Sequence, residues 1–210
     1  MPQKNNREYR NMKMEIREVE DKVEAMIVRG YASTFDEPYT LYEDEYWALE
    51  EVVDSRAFDN TDMSDVIMQY DHQGRVFARN KNNTLTVTPD EHGLLIEADL
   101  GGTELGRQLY EEIRGGYTDK MSFGFTVDLD EVLDTKRDGK DLTVRTIKSV
   151  RKLYDVSAVS IPANDATEIS VRNLTDGEIE RIRAERLAAE QVELEKRRAE
   201  VRAKALGGII

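Results

Sequence analysis

The stretch Lys120-Met-Ser-Phe-Gly-Phe-Thr-Val127 decides the fold class because its residues alternate between two kinds. The odd-numbered positions from 121 to 127 are apolar, and Ser122, Gly124 and Thr126 between them are small or polar. Side chains alternate between the two faces of a strand, so the pattern predicts a β-strand with one face in a core. Ser122 then points away from the apolar layer, and Gly124 leaves room for an extended peptide beside its hydroxyl.

Short strands are predicted on both sides of this stretch. They comprise a strand pair within Glu15–Phe35 and single strands at Val66–Tyr70, Leu85–Thr88, Leu94–Leu100, Thr143–Val150 and Leu153–Ile161. One helix is predicted at Thr103–Ile113, because Thr103 can cap it and Gly115-Gly116 can end it. The polar loop Asp134–Asp141 suits a hairpin connection. The fold class is therefore β-rich α+β, a closed or nearly closed β-structure with a helix packed on it.

The composition divides the chain into three parts. Residues 1–13 are polar and predict a flexible leader, and residues 14–173 form the folded domain. Residues 174–210 are rich in Glu, Arg, Ala and Leu and predict a helical arm with Thr175 or Asp176 as its cap. Leu187, Leu194 and Val201 recur every seven residues, but Ala184, Gln191 and Arg198 between them do not complete a coiled-coil seam. A solvated helix or a partner-binding arm is expected.

Composition and charge exclude several classes of function. The chain has 210 residues and a formal net charge of −13, which argues against nucleic acid as a partner. It has no cysteine, so thiol catalysis, disulfides and cysteine-based zinc sites are ruled out. No stretch approaches the roughly 20 apolar residues of a membrane span, and the first residues do not form a signal peptide. Metal-binding histidine motifs and phosphate-binding glycine loops are also missing from the sequence, so no cofactor is expected.

Only two histidines can serve as a base near neutral pH, His72 and His92. His92 lies in the turn-forming stretch Pro89–Gly93, where an exposed polar side chain is ordinary. His72 follows the apolar stretch Val66–Tyr70, at the end of a strand, where catalytic side chains are often presented. The sequence favours His72 but leaves a purely structural role open.

Two further residues are candidates for chemistry with His72. Ser122 can be a nucleophile or an ordinary outward-facing serine. Asp155 lies among small and β-branched residues, and a buried carboxylate there needs a partner such as an imidazole N–H. Pattern alone does not choose between these readings.

Taken in order, several segments resemble the prohead proteases of lambdoid tailed phages, a family related to the herpesvirus assemblin protease. The segments are Arg29–Ser33, Glu51–Asp59, Tyr70–His72, Gly93–Leu100, Lys120–Phe125 and Asp155–Asn164, within residues 27–172. The resemblance implies a herpesvirus-protease-like β-barrel with packed helices and a C-terminal helical arm. It also implies Ser122 as nucleophile, His72 as general base and Asp155 as the third member of a triad. Asp71 competes with Asp155, because family members usually show histidine before aspartate and here the order is reversed.

The resemblance further implies an oxyanion site near Ala163 and Asn164, since Pro162 has no N–H to donate. It implies an endopeptidase that cuts the scaffolding part of the major capsid protein, and itself, inside the prohead in the host cytoplasm. The capsid protein and its scaffolding domain are the expected partners, a homo-oligomer is left open, and neither nucleic acid nor membrane is expected. Two alternatives remain, a non-enzymatic head-assembly or scaffold-like protein and a hydrolase of another ester or amide.

Overall fold

The structure is a computed structural model that describes residues 7–13 and 26–159, together with the single positions 184, 188, 191 and 192. The chain divides into two compact units, Met1–Asn173 and Leu174–Ile210. In the second unit the four described positions are helical. The rest of the predicted arm lies outside the described residues, and the arm stays a prediction.

Strands dominate the described part of the first unit. In chain order the elements are β1 (Glu8–Lys13), β2 (Ile27–Thr34), β3 (Tyr39–Glu43), β4 (Trp47–Val53), β5 (Ile67–Tyr70), β6 (Gln73–Arg79), β7 (Leu85–Pro89), β8 (Gly93–Asp99), α1 (Glu104–Arg114), β9 (Lys120–Arg137) and β10 (Lys140–Val159). A short 3₁₀ turn, Asn80–Asn82, joins β6 to β7. The β-rich class expected from the sequence is confirmed.

The larger sheet is built around β9 and β10, a long antiparallel hairpin. Its order is β1-β9-β10-β4-β3, and β1 pairs with the first residues of β9. The other edge of β10 pairs in parallel with β4 near its start and with β5 near its end, and β6 continues from β5. A smaller sheet has the order β2-β8-β7.

The described strands do not close into the expected barrel. Closure requires the outermost strands of a sheet to pair with each other. Within residues 7–13 and 26–159 the path of the larger sheet instead ends at β1 and β3, and the smaller sheet ends at β2 and β7. The described strands therefore form two sheets that enclose one hydrophobic core.

The core draws on both sheets and on one face of α1. Phe123 and Phe125 of β9 stack with ring centroids 4.6 Å apart, and Leu109 and Ile113 of α1 are buried in the same cluster. The predicted cap is confirmed, because the hydroxyl of Thr103 accepts a hydrogen bond of 2.9 Å from the Gly106 N–H. This framework holds the first half of β9 in a fixed position.

Several elements differ from the sequence predictions. The two strands expected at Thr143–Val150 and Leu153–Ile161 are one strand, β10, with register irregularities near Ser149 and Asp155 that let it continue. Much of the segment Asp36–Leu49 forms β3 and the start of β4, where no strand was predicted. Trp47 in β4 is buried and donates an indole hydrogen bond of 2.9 Å to the Thr143 hydroxyl.

The predicted leader also differs from the structure. Residues 8–13 form β1, although residues 1–13 were expected to be flexible. The reason is non-local, because the charges of Glu8 and Arg10 are buried against Glu51 and Arg145 from distant strands. A polar sequence can therefore form an ordered strand when its charged side chains are buried against side chains of opposite charge.

Candidate active site

Ser122 lies on β9 between two paired strands. It pairs with Asn11 of β1 on one side and with Ser157 of β10 on the other. The alternation of apolar and small residues in β9 does separate two faces, but both faces are covered, and the exposed fraction of Ser122 is 0%. The expectation of an open face around the hydroxyl is therefore wrong, and a peptide can reach Ser122 only if a covering group moves.

His72 lies in the two-residue turn between β5 and β6. Tyr70 and Gln73 pair across this turn, and the φ angles of Asp71 and His72 are 46° and 55°. Two positive φ angles are typical of a type I′ hairpin turn, which favours Asn, Asp or Gly. Residues with a side chain are uncommon in this left-handed conformation, so holding the imidazole in this turn costs backbone free energy.

Asp155 lies on β10, directly opposite Gly124 of β9 and next to the strand that leads to His72. Its exposed fraction is 1%, so its charge must be compensated inside the protein. The Ser157 hydroxyl donates a hydrogen bond of 3.2 Å to Oδ1 of Asp155.

These three side chains, predicted from the sequence as a group, are brought into contact. His72 Nδ1 is hydrogen-bonded to Asp155 Oδ1, and His72 Nε2 lies 2.6 Å from Ser122 Oγ. A carboxylate only accepts, so Nδ1 carries the proton and donates to Asp155. Nε2 is then free to accept the hydrogen bond of the serine hydroxyl, which is the arrangement that a general base needs.

The other predicted site residues are not part of this contact chain in the described structure. His92 is exposed in the turn between β7 and β8, with its ring 4.6 Å from that of Tyr31. Asp71 precedes His72 in the turn, and its backbone N–H donates a hydrogen bond of 2.9 Å to the Ala158 carbonyl. Ala163 and Asn164, the expected oxyanion residues, lie outside the described residues.

Gly124 has a different role from the one expected. A Cβ atom built at this position would collide with the Asp155 carboxylate and with the ring of Tyr9. The space above Gly124 is therefore filled by the protein itself, and it is not open to a peptide. Gly124 allows Asp155 and Tyr9, from the strands on either side, to meet above β9.

Two residues near the site were missed by sequence reasoning. The ring of Tyr9 on β1 lies 4.3 Å from the His72 ring, measured between centroids. Arg7, just before β1, has Nη1 3.6 Å from Asp155 Oδ2. No local pattern in the polar residues 1–13 indicated them, since their proximity to His72 depends on the pairing of β1 with β9.

The opposite face of β1 is held by a buried charge network. Arg10 Nη2 donates hydrogen bonds of 2.6 Å to Glu8 and 2.8 Å to Glu51, and Arg145 donates one of 2.6 Å to Glu8. Burial opposes ionisation of Glu8, but the Arg145 hydrogen bond and the charges of Arg10 and Arg145 outweigh it and lower the pKa of Glu8. Burial and the nearby Glu51 charge raise the pKa of Tyr39 well above its usual value.

Within residues 7–13 and 26–159, no group of three or more His, Asp or Glu side chains is placed to hold a metal ion. Among the described helical residues, none belongs to a helix long and apolar enough to cross a membrane.

Residues 12–181, most of the chain, match the family of caudovirus prohead serine proteases. The chain belongs to this family. No curated protein and no solved structure matches the chain. A caudovirus prohead serine protease is a hydrolase that functions in phage capsid maturation, so membership implies interaction with capsid proteins. It also weighs against the non-enzymatic alternative.

Proposed function

We propose that Ser122 is the nucleophile of this serine protease, His72 its general base and Asp155 the residue that orients the imidazole. The observation that carries the proposal is the continuous contact from Ser122 Oγ through both ring nitrogens of His72 to Asp155. A serine hydroxyl is a poor nucleophile unless a base removes its proton. The three side chains also come from three separate elements, so their contact is not a consequence of neighbouring positions in the sequence.

The proposed mechanism has two proton transfers. Ser122 Oγ attacks the scissile carbonyl while Nε2 of His72 takes the hydroxyl proton, and a tetrahedral oxyanion forms. The imidazolium then gives that proton to the leaving amine, and an acyl-enzyme ester remains on Ser122. Water repeats the sequence and releases the acid. Asp155 holds the tautomer with the proton on Nδ1 and stabilises the imidazolium. Ala163 and Asn164 remain our candidates for the oxyanion donors.

The proposed substrate is the scaffolding part of the major capsid protein, with cleavage of the protease itself as a second reaction. Such cleavage would take place inside the prohead in the host cytoplasm. We also propose that residues 174–210 form a helical arm that brings the enzyme into the shell, in which case deleting residues 175–210 lowers the protease content of purified shells. We further propose that the chain is related to the herpesvirus assemblin protease and that it can form a homo-oligomer.

The experiment that tests the nucleophile compares Ser122→Ala with Ser149→Ala. Ser149 lies on β10 opposite Leu129, in the half of the hairpin remote from His72 along the register. Each variant is incubated with unprocessed major capsid protein, and the fragments are identified by mass spectrometry. We expect no specific cuts with Ser122→Ala and wild-type cuts with Ser149→Ala. Wild-type cutting by Ser122→Ala would refute the assignment.

A further inference from the structure

The side chains of three neighbouring strands form a row beside the proposed base. Tyr9 on β1 and Asp155 on β10 both pair with Gly124 on β9, from opposite edges. Because directly paired residues in antiparallel strands project on the same face, Tyr9 and Asp155 share the face of Ser122. Gly124 has no side chain, and both neighbours occupy the space above it.

Within this row, Tyr9 contacts the imidazole directly. The two ring centroids are 4.3 Å apart and the planes are inclined by 57°, so the two rings are in direct contact. His72 lies in a strained turn, and its ring is otherwise oriented by hydrogen bonds to Ser122 and Asp155. Tyr9 thus limits the rotation of a ring whose two nitrogens must stay aligned.

Arg7 faces the carboxylate oxygen that His72 does not use. Oδ1 of Asp155 accepts from His72 and Ser157, and Oδ2 has no hydrogen-bond partner in the described part of the chain. Arg7 Nη1 lies 3.6 Å from Oδ2, and the Arg7 guanidinium carbon lies 3.8 Å from the centre of the Tyr154 ring. Stacking on Tyr154 therefore keeps a positive charge beside a nearly buried carboxylate.

The other face of β1 explains how these two residues are held in place. Glu8 and Arg10 alternate with Arg7 and Tyr9 and are buried in the charge network with Glu51 and Arg145. Removing one partner from such a network leaves a buried charge uncompensated, which is costly. The network therefore fixes β1 in one register on β9.

We propose that Tyr9 and Arg7 are positioning residues of the active site, with Tyr9 fixing the His72 ring and Arg7 balancing the charge of Asp155. The inference rests on the proposed function, since it takes His72 as the base. The positive charge of Arg7 weakens the electrostatic stabilisation that Asp155 gives to a protonated imidazole. Without Arg7, the imidazolium is favoured, and a higher pH is needed to free the base.

The test uses the full chain and a fluorophosphonate probe, which requires no knowledge of the cleavage sequence. Ser122 Oγ forms a bond to phosphorus, fluoride leaves, and the hydroxyl proton passes to His72. The rate of labelling and its saturation constant are measured across pH for Arg7→Gln, Arg7→Lys, Tyr9→Leu and Tyr9→Phe. Arg151→Gln is the matched control, because Arg151 is an exposed arginine paired with Asp128.

We expect Arg7→Gln to lower the labelling rate about two- to threefold at neutral pH and to move the acidic side of the pH–rate profile to higher pH by about half a unit to one unit. Arg7→Lys retains the charge and most of the rate. The labelling rate of Tyr9→Leu falls about ten- to a hundredfold because the His72 ring is misoriented, whereas Tyr9→Phe keeps the wild-type rate. Saturation constants and thermal midpoints stay close to wild type, and Arg151→Gln labels normally.

Two results separate failure of this inference from failure of the proposed function. If Ser122→Ala is labelled like wild type, the proposed nucleophile is wrong. If Ser122→Ala is inert but Arg7→Gln and Tyr9→Leu label as wild type with an unmoved pH profile, the positioning roles are refuted. Faster labelling in either variant would also refute them, since it would make β1 an obstacle over Ser122. Arg7 is partly exposed, so Arg7→Gln keeps the test decisive even if Tyr9→Leu does not fold.

Discussion

Two hairpin turns in this protein share a backbone conformation but differ in the residue at the second position. The turn between β9 and β10 has Asp138 and Gly139, with φ angles of 54° and 83°. The turn between β5 and β6 has Asp71 and His72, with φ angles of 46° and 55°. Asp-Gly is a favoured pair for a type I′ turn, and glycine has no steric cost there.

The first turn closes a long hairpin, while the second presents a side chain. A residue with a Cβ atom in the left-handed region costs roughly 1 to 2 kcal/mol relative to its preferred conformation. The structure tolerates that cost at His72, where the side chain is held by Asp155, Ser122 and Tyr9. Positions that break a local rule in this way are often functional. The β9–β10 turn therefore has a sequence that favours stability, whereas the β5–β6 turn has one that suits the proposed chemistry.

The largest expected effect comes from His72→Asn. Asparagine tolerates the left-handed conformation and retains an N–H donor for Asp155, but it has no basic nitrogen near Ser122. We expect turnover of capsid protein to fall at least about 10³-fold, while the thermal midpoint stays within a few degrees of wild type. Differential scanning fluorimetry and cleavage assays measure the two quantities. Retention of activity would mean that the turn has no catalytic role.

A second pair of variants compares two acids near the imidazole. Asp155 is hydrogen-bonded to His72, and Asp71 precedes His72 in the turn. Asp155→Asn should lower turnover by about 10²-fold or more, because the amide can favour the wrong tautomer of His72. Asp71→Asn, the matched control, should change turnover less than about threefold, since asparagine is at least as good in this turn. The reverse ranking would make Asp71 the third member.

The sequence allowed part of this architecture to be predicted, and the limit is physical. The apolar alternation in β9 and the capping hydroxyl of Thr103 are local signals, and the elements they predict are present. The contact among His72, Ser122 and Asp155 was expected from the resemblance to prohead proteases, because pattern alone left the role of each residue open. Strand β1 was missed because its order depends on Glu51 and Arg145, which are distant in sequence.

Side-chain environment was harder to predict than strand position. Ser122 was placed on the correct element, but its burial depends on groups from other strands. Gly124 was expected to admit a peptide, whereas its missing side chain makes room for Asp155 and Tyr9. Alternation in a sequence shows which residues share a face, and it does not show what covers that face.

A smaller effect, on stability, is expected at Glu8, whose charge is paired with Arg10 and Arg145 beside the proposed active site. The pKa of Glu8 is lowered, so its ionised form stabilises the folded state above the usual carboxyl value of 4.5 and loses this effect as pH falls through the lowered folded value. Glu8→Gln should destabilise the protein by about 2 to 4 kcal/mol at pH 7. Urea unfolding measures the difference from wild type, which should shrink below pH 4.5. A difference independent of pH would show that the charge of Glu8 does not act.

The smallest effect is expected at the turn that has no proposed chemistry. Gly139 has φ of 83°, and a Cβ atom there would meet no other atom within 4 Å, so Gly139→Ala introduces backbone strain without a collision. We expect a loss of about 1 kcal/mol in the free energy of unfolding and no change in labelling or cleavage rate. Urea unfolding and the fluorophosphonate assay are run on the same preparation, with Gly102→Ala as the control. Gly102 also has open space around its Cβ position, but its φ lies outside the left-handed range, so this substitution should have a smaller cost. If Gly139→Ala slows the chemistry as well, the β9–β10 turn affects the proposed active site, and the two turns do not have separate roles.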